Sequence, residues 1–260
     1  MVLGQSVRSE QAAESNPRVS VVMPAFHSGR WRPQAIDSIR AQTLQDFELI
    51  IVDDGSTDTT EHILLDAACE DSRVRAVRQE HMGVAAALNH GIGLARSPFI
   101  GRMDADDIAH QDRLQKQLNF LERCPDIVAV GSWAYLIDDD DRRTGELRPE
   151  PEPSKLHAML LKQNPFVHSS MMISADEVRI LGGYRSAFEG AEDYDLWLRI
   201  SDRASLANLP EFLISYRRHG NSTAATAPNK QLLAARLARI SAANRRANRP
   251  DILETLHAPL

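Results

Sequence analysis

Cysteine is nearly absent from this 260-residue chain, which has only Cys69 and Cys124. Two thiols cannot build a cysteine-rich metal site or a disulfide framework, and their scarcity fits a reducing, cytoplasmic setting. No apolar run is long enough to cross a bilayer. The opening segment MVLGQSVRSEQAAESNPR has no apolar core of the kind a secretory leader carries, so residues 1–17 are expected to form a flexible tail. Basic charge is not in excess: 30 Lys and Arg against 36 Asp and Glu give a net charge of -6. That is the opposite of the basic footprint of a nucleic-acid-binding protein. What is present is globular, with 43% hydrophobic and 25% charged residues, enough for one large core.

Short apolar runs alternate with helical spacing through the first hundred residues. RVSVVMPAF (18–26) reads as a strand closed by Pro24, and QAIDSIRAQ (34–42) as a helix. FELIIVDDGSTD (47–58) is a second buried strand ending in acids and a glycine turn. Asp58 and Glu61 have the spacing of a capping box for a helix through Cys69. A third strand (73–79), a third helix (83–95) and a fourth strand (97–103) follow. This alternation predicts an α/β fold with a mostly parallel, Rossmann-like central sheet covered by helices on both faces.

The second half is less regular. A hairpin is expected over 126–149 with Asp138 to Asp141 at a solvated tip, then a helix over 154–163 and a strand over 167–173. A Gly-rich loop runs from 182 into a helix that carries Glu192, Asp193 and Asp195 in its first turn, where carboxylates favour the helix dipole. A last strand covers 211–222. A helix over 228–249 puts Leu233, Leu237 and Ile240 on one face, with arginines elsewhere.

Two acidic clusters, Asp53-Asp54 and Asp104-Ala105-Asp106-Asp107, lie just past predicted strand carboxyl ends, the edge where open α/β sheets bind ligands. Carboxylates crowded this closely repel unless solvent, a partner or a cation takes up the charge.

VSVVMPAFHSG, QAIDSIRAQTLQDFELIIVDDGSTD, GVAAALNHGIGLA, RMDADD and GAEDYDLWLR follow one another in the order found in family 2 glycosyltransferases with the GT-A fold. Over residues 18–222 the chain resembles that family, and within it the bacterial enzymes of polysaccharide and O-antigen biosynthesis. The resemblance implies a GT-A domain over 18–222 with a C-terminal helical extension over 223–260. It also implies an inverting, metal-assisted single displacement from a nucleotide-diphosphate sugar, with a UDP-sugar favoured, to a glycan or lipid-linked acceptor.

By the same resemblance Pro24, Ala25, Phe26 and Asp53 or Asp54 would form the nucleotide pocket. Asp104 would face the ribose or the metal shell, Asp106 would ligate Mn²⁺ or Mg²⁺ with His219 as a further contact, and Asp193 would be the general base. Glu192, Trp197 and His168 are candidates for acceptor or donor-sugar contacts. The chain departs from the family pattern at His81-Met82-Gly83 and at His168-Ser169-Ser170. A catalytically silent nucleotide- or glycan-binding module of the same fold and a nucleotidyltransferase are the alternatives. No nucleic-acid partner is expected. The C-terminal helix is expected to contact either the inner membrane face or a partner protein, unless its leucines simply pack on the domain.

Overall fold

The computed structural model describes residues 16–27, 30, 32–220 and 227–253. Most of the expected tail and the boundary between domain and extension at 222/223 lie outside the described residues. Strands β1 (Val19–Ala25), β2 (Phe47–Asp53), β3 (Val74–Arg78) and β4 (Phe99–Arg102) pair in parallel in the spatial order β3-β2-β1-β4. Beyond β4 the sheet continues through β8 (Met172–Ser174), β6 (Ile127–Ile137), β9 (Ser205–Arg217) and β5 (Ile108–Ala109), with β7 (Arg143–Leu147) hung on β6. The β4–β8, β8–β6, β6–β7 and β9–β5 pairings are antiparallel, and β6–β9 is parallel.

Burial on both faces explains the unbroken apolar runs of β1 and β2. Val19, Val21 and Met23, with Leu49 and Ile51, pack under α1 (Arg32–Arg40) and α4 (Arg113–Arg123) through Ile36, Ile39, Leu114 and Leu118. The alternate residues Val22, Ile50 and Val52 meet α3 (Val84–Leu94) and, deeper in the same cluster, α7 (Glu192–Ser201) and α8 (Pro228–Arg246). Within this apolar pattern Glu48 is a buried exception. It accepts from Ser20 Oγ (2.7 Å), the Arg96 amide (2.9 Å) and Arg75 Nη1 (2.9 Å). Burial alone would raise its pKa; these donors prevail and lower it.

Several local expectations change. Helix α4 stands where no element was expected, although Leu114, Leu118 and Leu121 have helical spacing and are buried. Helix α2 (Thr60–Glu70) begins without a capping box: Asp58 bonds the Thr60 amide, and Glu61 turns outward to Arg78. Residues 168–170 form a 3-10 turn ahead of β8, and β9 begins at Ser205, earlier than expected. The hairpin tip is tied back rather than wholly solvated, since Arg217 pairs with Asp141 (2.6 Å). Helices α5 (Pro153–Leu160) and α6 (Ala175–Ile180) complete the set among the described residues.

Helix α8 packs through its small face, Ala234, Ala238, Ser241 and Ala242, which leaves Leu233 and Ile240 exposed and Leu237 half-buried. The expected leucine stripe is therefore not the packing face. Among the described residues no helix is long and apolar enough to cross a membrane.

Close approach of α3 to the sheet rests on Gly91, where a Cβ would lie 2.5 Å from Val22 Cγ1 and 3.3 Å from Val52 Cγ2. Gly to Ala in a free helix stabilises by roughly 0.5–1 kcal/mol. Here the sign should reverse. Gly91→Ala is expected to cost about 1–3 kcal/mol through overpacking, read as a lowered midpoint in urea or thermal unfolding.

Candidate active site

Because β1, β2 and β4 are parallel neighbours, Pro24–Phe26, Asp53–Asp54 and the Asp104 cluster leave the sheet at the same carboxyl edge. The chain crosses to opposite sides of β1 to form β2 and β4, and that reversal opens the crevice in which such sheets bind ligands.

At the β1–β2 end, Phe26 is 43% exposed and stacks between His27 (centroids 4.1 Å) and His81 (4.2 Å). Pro24 is half-buried and Ala25 buried beneath it. The two neighbouring aspartates divide their tasks. Asp54 is saturated: Gln79 Nε2 (2.7 Å) and the Met82 amide (2.9 Å) reach Oδ1, and the Gly83 amide (2.9 Å) and His81 Nδ1 (2.9 Å) reach Oδ2. It holds the turn that starts α3. Asp53 accepts the Ser56 amide on Oδ1 (3.0 Å), while Oδ2 has no hydrogen bond among the described residues and faces Arg78 Nε at 3.8 Å.

Beyond β4, oxygens of Asp104, Asp106 and Asp107 lie within 4.8 Å of one another. Arg102, buried at the strand end, forms an ion pair with Asp104. The Asp104 amide donates to Ser169 Oγ (3.0 Å), and His219 Nε2 lies 2.9 Å from Asp106 Oδ2. Behind the cluster, the Arg217 amide donates to Asp107 (2.7 Å) and Arg217 Nε to the Asp106 carbonyl (2.8 Å). Burial, with the charges of Asp106 and Asp104, pushes the Asp107 carboxyl well above its usual range. Asp104 is also raised, by burial against the opposing pull of Arg102. An all-oxygen cluster of one buried and two half-buried carboxylates fits a hard divalent cation, with the Asp106–His219 pair at its side.

The third component comes from α7. Gly190, at φ +93°, makes the turn ahead of the helix and donates its amide to Glu192 Oε2 (2.7 Å). Asp193 accepts from Asn164 Nδ2 (2.8 Å) and from the Tyr194 amide (2.6 Å), and remains half-exposed. Burial raises the Asp193 carboxyl, and the Arg102 guanidinium opposes that rise. The charge of Asp193 in turn raises Asp104, so the two carboxylates feel one another electrostatically, and the Arg102 charge acts on both. Glu192 is buried, and burial together with Asp193 lifts it to about 7.

Other candidates fall into the supporting structure. Trp197 is fully buried, its ring edge-on to Phe166 and His168 (both 5.9 Å); it has no open face for a sugar, and the expected contact is corrected to a core role. His168 bonds the Tyr184 hydroxyl (2.9 Å), and burial keeps it neutral. Asp195 bridges Arg185 (Nε 2.9 Å) and Arg199 (Nε 2.9 Å) in the interior. Arg102, Arg217, Ser169 and Asn164 were missed from sequence: their partners lie far along the chain, and only the adjacency of Arg102 to DADD gave a signal.

The glycosyl transferase family 2 profile matches residues 20–178. The chain belongs to that family. It is 35% identical over 214 residues to a putative glycosyltransferase, EpsE, of Bacillus subtilis, covering 80% of this chain and 76% of that one. It is 34% identical over 209 residues to the O-antigen biosynthesis glycosyltransferase WbnJ of Escherichia coli, covering 79% and 81%. Among solved structures it superposes on S. aureus TarS in complex with UDP-GlcNAc (TM-score 0.69, 16% identity, 85% of this chain). It also superposes on the Pyrobaculum calidifontis mannosyltransferase PcManGT in complex with GDP-Man and Mn2+ (TM-score 0.67, 20% identity, 89% of this chain). The chain spans 65% of each of those two chains. The fold is GT-A, the protein is a glycosyltransferase, and the nucleotidyltransferase alternative falls.

The raised Glu192 carboxyl makes stability depend on pH. Between its ordinary value of 4.5 and about 7 the folded chain keeps a proton that the unfolded chain has lost, so stability falls as pH rises through that window. Relative to Glu192→Gln, the wild type should lose about 2–4 kcal/mol between pH 5 and pH 8 in urea unfolding.

Proposed function

We propose that this glycosyltransferase inverts the anomeric centre of a nucleotide-diphosphate sugar, with UDP-sugar the favoured donor, by single displacement onto a glycan or lipid-linked acceptor. The observation that carries the reading is the cluster of Asp104, Asp106 and Asp107 at the carboxyl edge of the sheet, with the Asp193 carboxylate at the start of α7 within its electrostatic reach. In this reading the cluster serves the leaving diphosphate and Asp193 the incoming hydroxyl.

In this reading the base sits at the β1–β2 end of the crevice against Phe26, over Pro24 and Ala25. Asp53 is its polar partner, because the oxygens of Asp54 are already filled. Asp104 and Asp106, with Asp107 and His219 beside them, would hold Mn²⁺ or Mg²⁺, a reading supported by the complex of PcManGT with GDP-Man and Mn2+. A cation there neutralises charge as it develops on the departing diphosphate.

Asp193 takes the acceptor proton. Burial raises its carboxyl, which makes the carboxylate a stronger base, and Asn164 and the Tyr194 amide fix its orientation. Glu192, the competitor for that role, is buried and turned back onto the Gly190 amide. No acid is needed on the leaving side, where a glycoside hydrolase would require one.

Two variants separate the parts. Asp106→Ala should abolish the metal-dependent share of UDP binding, so that calorimetry with and without EDTA gives the same affinity for the variant and different affinities for the wild type. Asp193→Asn should leave metal and UDP binding intact while transfer falls by about 10²-fold or more. Near-normal transfer by Asp193→Asn would move the base to Glu192.

A further inference from the structure

Asp193 and Asp195 both lie in the first turn of α7. Two residues apart, they leave the helix on nearly opposite sides, so one can face the crevice while the other points into the protein. Asp195 is fully buried and takes a two-pronged grip from Arg185, Nε donating to Oδ2 (2.9 Å) and Nη2 to Oδ1. Arg199 Nε donates to Oδ2 as well (2.9 Å), and its other nitrogens reach the Leu181 (2.8 Å) and Gly183 (2.6 Å) carbonyls. The loop that leads into α7 is thus fastened to the helix it precedes.

The same guanidinium reaches a third segment. Arg185 Nη1 donates to Asp251 Oδ2 (2.9 Å), and Nη2 lies 3.2 Å from Ser241 Oγ on α8. Asp251 follows α8, is buried, and collects Ser241 Oγ (2.7 Å) and Arg245 Nη1 (3.1 Å) on that oxygen. Burial would raise the Asp251 carboxyl; Ser241, Arg185 and the Leu253 amide prevail and hold it below its usual range. The Arg185 guanidinium also stands over the Phe188 ring (4.6 Å), which steadies it. Each carboxylate already has a cation of its own, Arg199 for Asp195 and Arg245 for Asp251. What Arg185 adds is the link between them.

We propose that Arg185 is a positioning residue for the reaction. Anchored on Asp251 and Ser241, its grip on Asp195 sets the direction in which the first turn of α7 presents Asp193. This deepens, and rests on, the reading of Asp193 as the base. A misplacement of about 1 Å at a reacting group costs on the order of 10²-fold in rate. A lysine at 185 would keep the charge, but a point donor cannot hold two carboxylates in one fixed plane.

The test follows UDP released by the full chain from UDP-glucose, UDP-galactose or UDP-N-acetylglucosamine without acceptor, since water in the acceptor's place needs the same base. Arg185→Lys and, separately, Asp251→Asn should lower kcat for that release about tenfold, with KM and calorimetric UDP affinity unchanged. In an Asp193→Asn background neither should lower it further, because the group they position is gone. Normal kcat in both variants, an equal further fall in the Asp193→Asn background, or a loss of UDP affinity matching the loss of kcat would overturn the proposal. Unfolding of both variants by circular dichroism would overturn it too, by making the network a support of the fold alone. If only Arg185→Lys fails to fold, Asp251→Asn, which keeps the side-chain shape, decides. Near-normal release by Asp193→Asn alone would remove the reading of the base, and this proposal with it, before any pair is compared.

Discussion

The arrangement of the site depends on one buried cation. Arg102 ends β4 in the interior, forms an ion pair with Asp104, and its charge lowers the Asp193 and Glu192 carboxyls that burial raises. Without it, the mutual repulsion of these carboxylates would go unopposed by that positive charge. The backbone that carries it is held in place from behind. Arg113 donates to the Arg102 carbonyl (2.6 Å) and to the Met171 carbonyl (3.2 Å), fixing the strand end to the segment that precedes β8. Burial, with Arg102 nearby, depresses Arg113 to about 9, so these two neighbouring arginines sit in the interior at considerable desolvation cost. Such a cost is tolerated where it organises charge for function.

Arg217 does the same work on the other flank of the cluster. Its amide and Nε hold Asp107 and the Asp106 backbone, and its remaining nitrogens reach the Asp138 carbonyl (2.6 Å), Gln34 (3.2 Å) and Asp141 (2.6 Å). The hairpin tip and the first helix are thereby connected to the DADD turn. The metal-ligating candidates sit in a frame built from four separate segments, which limits how far any one carboxylate can drift.

Much of this was legible in the amino-acid order, for identifiable reasons. Doubly covered parallel strands leave unbroken β-branched runs, so β1 to β4 could be read, and the acids that follow them fell at the ligand edge by topology alone. The start of α7 was legible because a glycine turn and first-turn acids mark a helix start, whereas Asp193 was singled out among those acids only by the family resemblance. What escaped depended on partners distant in sequence. Nothing local distinguishes Asp53 from Asp54, yet the 79–83 segment fills the oxygens of one and leaves an oxygen of the other without a hydrogen bond. Trp197 has the spacing of a surface residue as well as of a core one, and only the packing of Phe166 and His168 decides. In α8, periodicity identified a leucine stripe but not which face would meet α7; alanine and serine permit the closer approach and took the interface.

The two ends of the crevice are joined through α3. Its N-terminus is held by Asp54, which collects the Met82 and Gly83 amides that would otherwise be left without partners. One turn and a half further on, Asn89 grips the backbone of Tyr184 in both directions, accepting its amide (2.8 Å) and donating to its carbonyl (2.7 Å). A side chain at Gly183 would collide with that grip, since a Cβ there would come 2.3 Å from Asn89 Oδ1. Tyr184 then reaches His168, the residue before the Ser169 that receives the Asp104 amide. These bonds join the β1–β2 end of the crevice, through α3, to the loop that leads into α7. The Phe26–His81 stack stands at the start of that chain, so His81, where the sequence departs from the family pattern, touches both Phe26 and the aspartate that holds the start of α3.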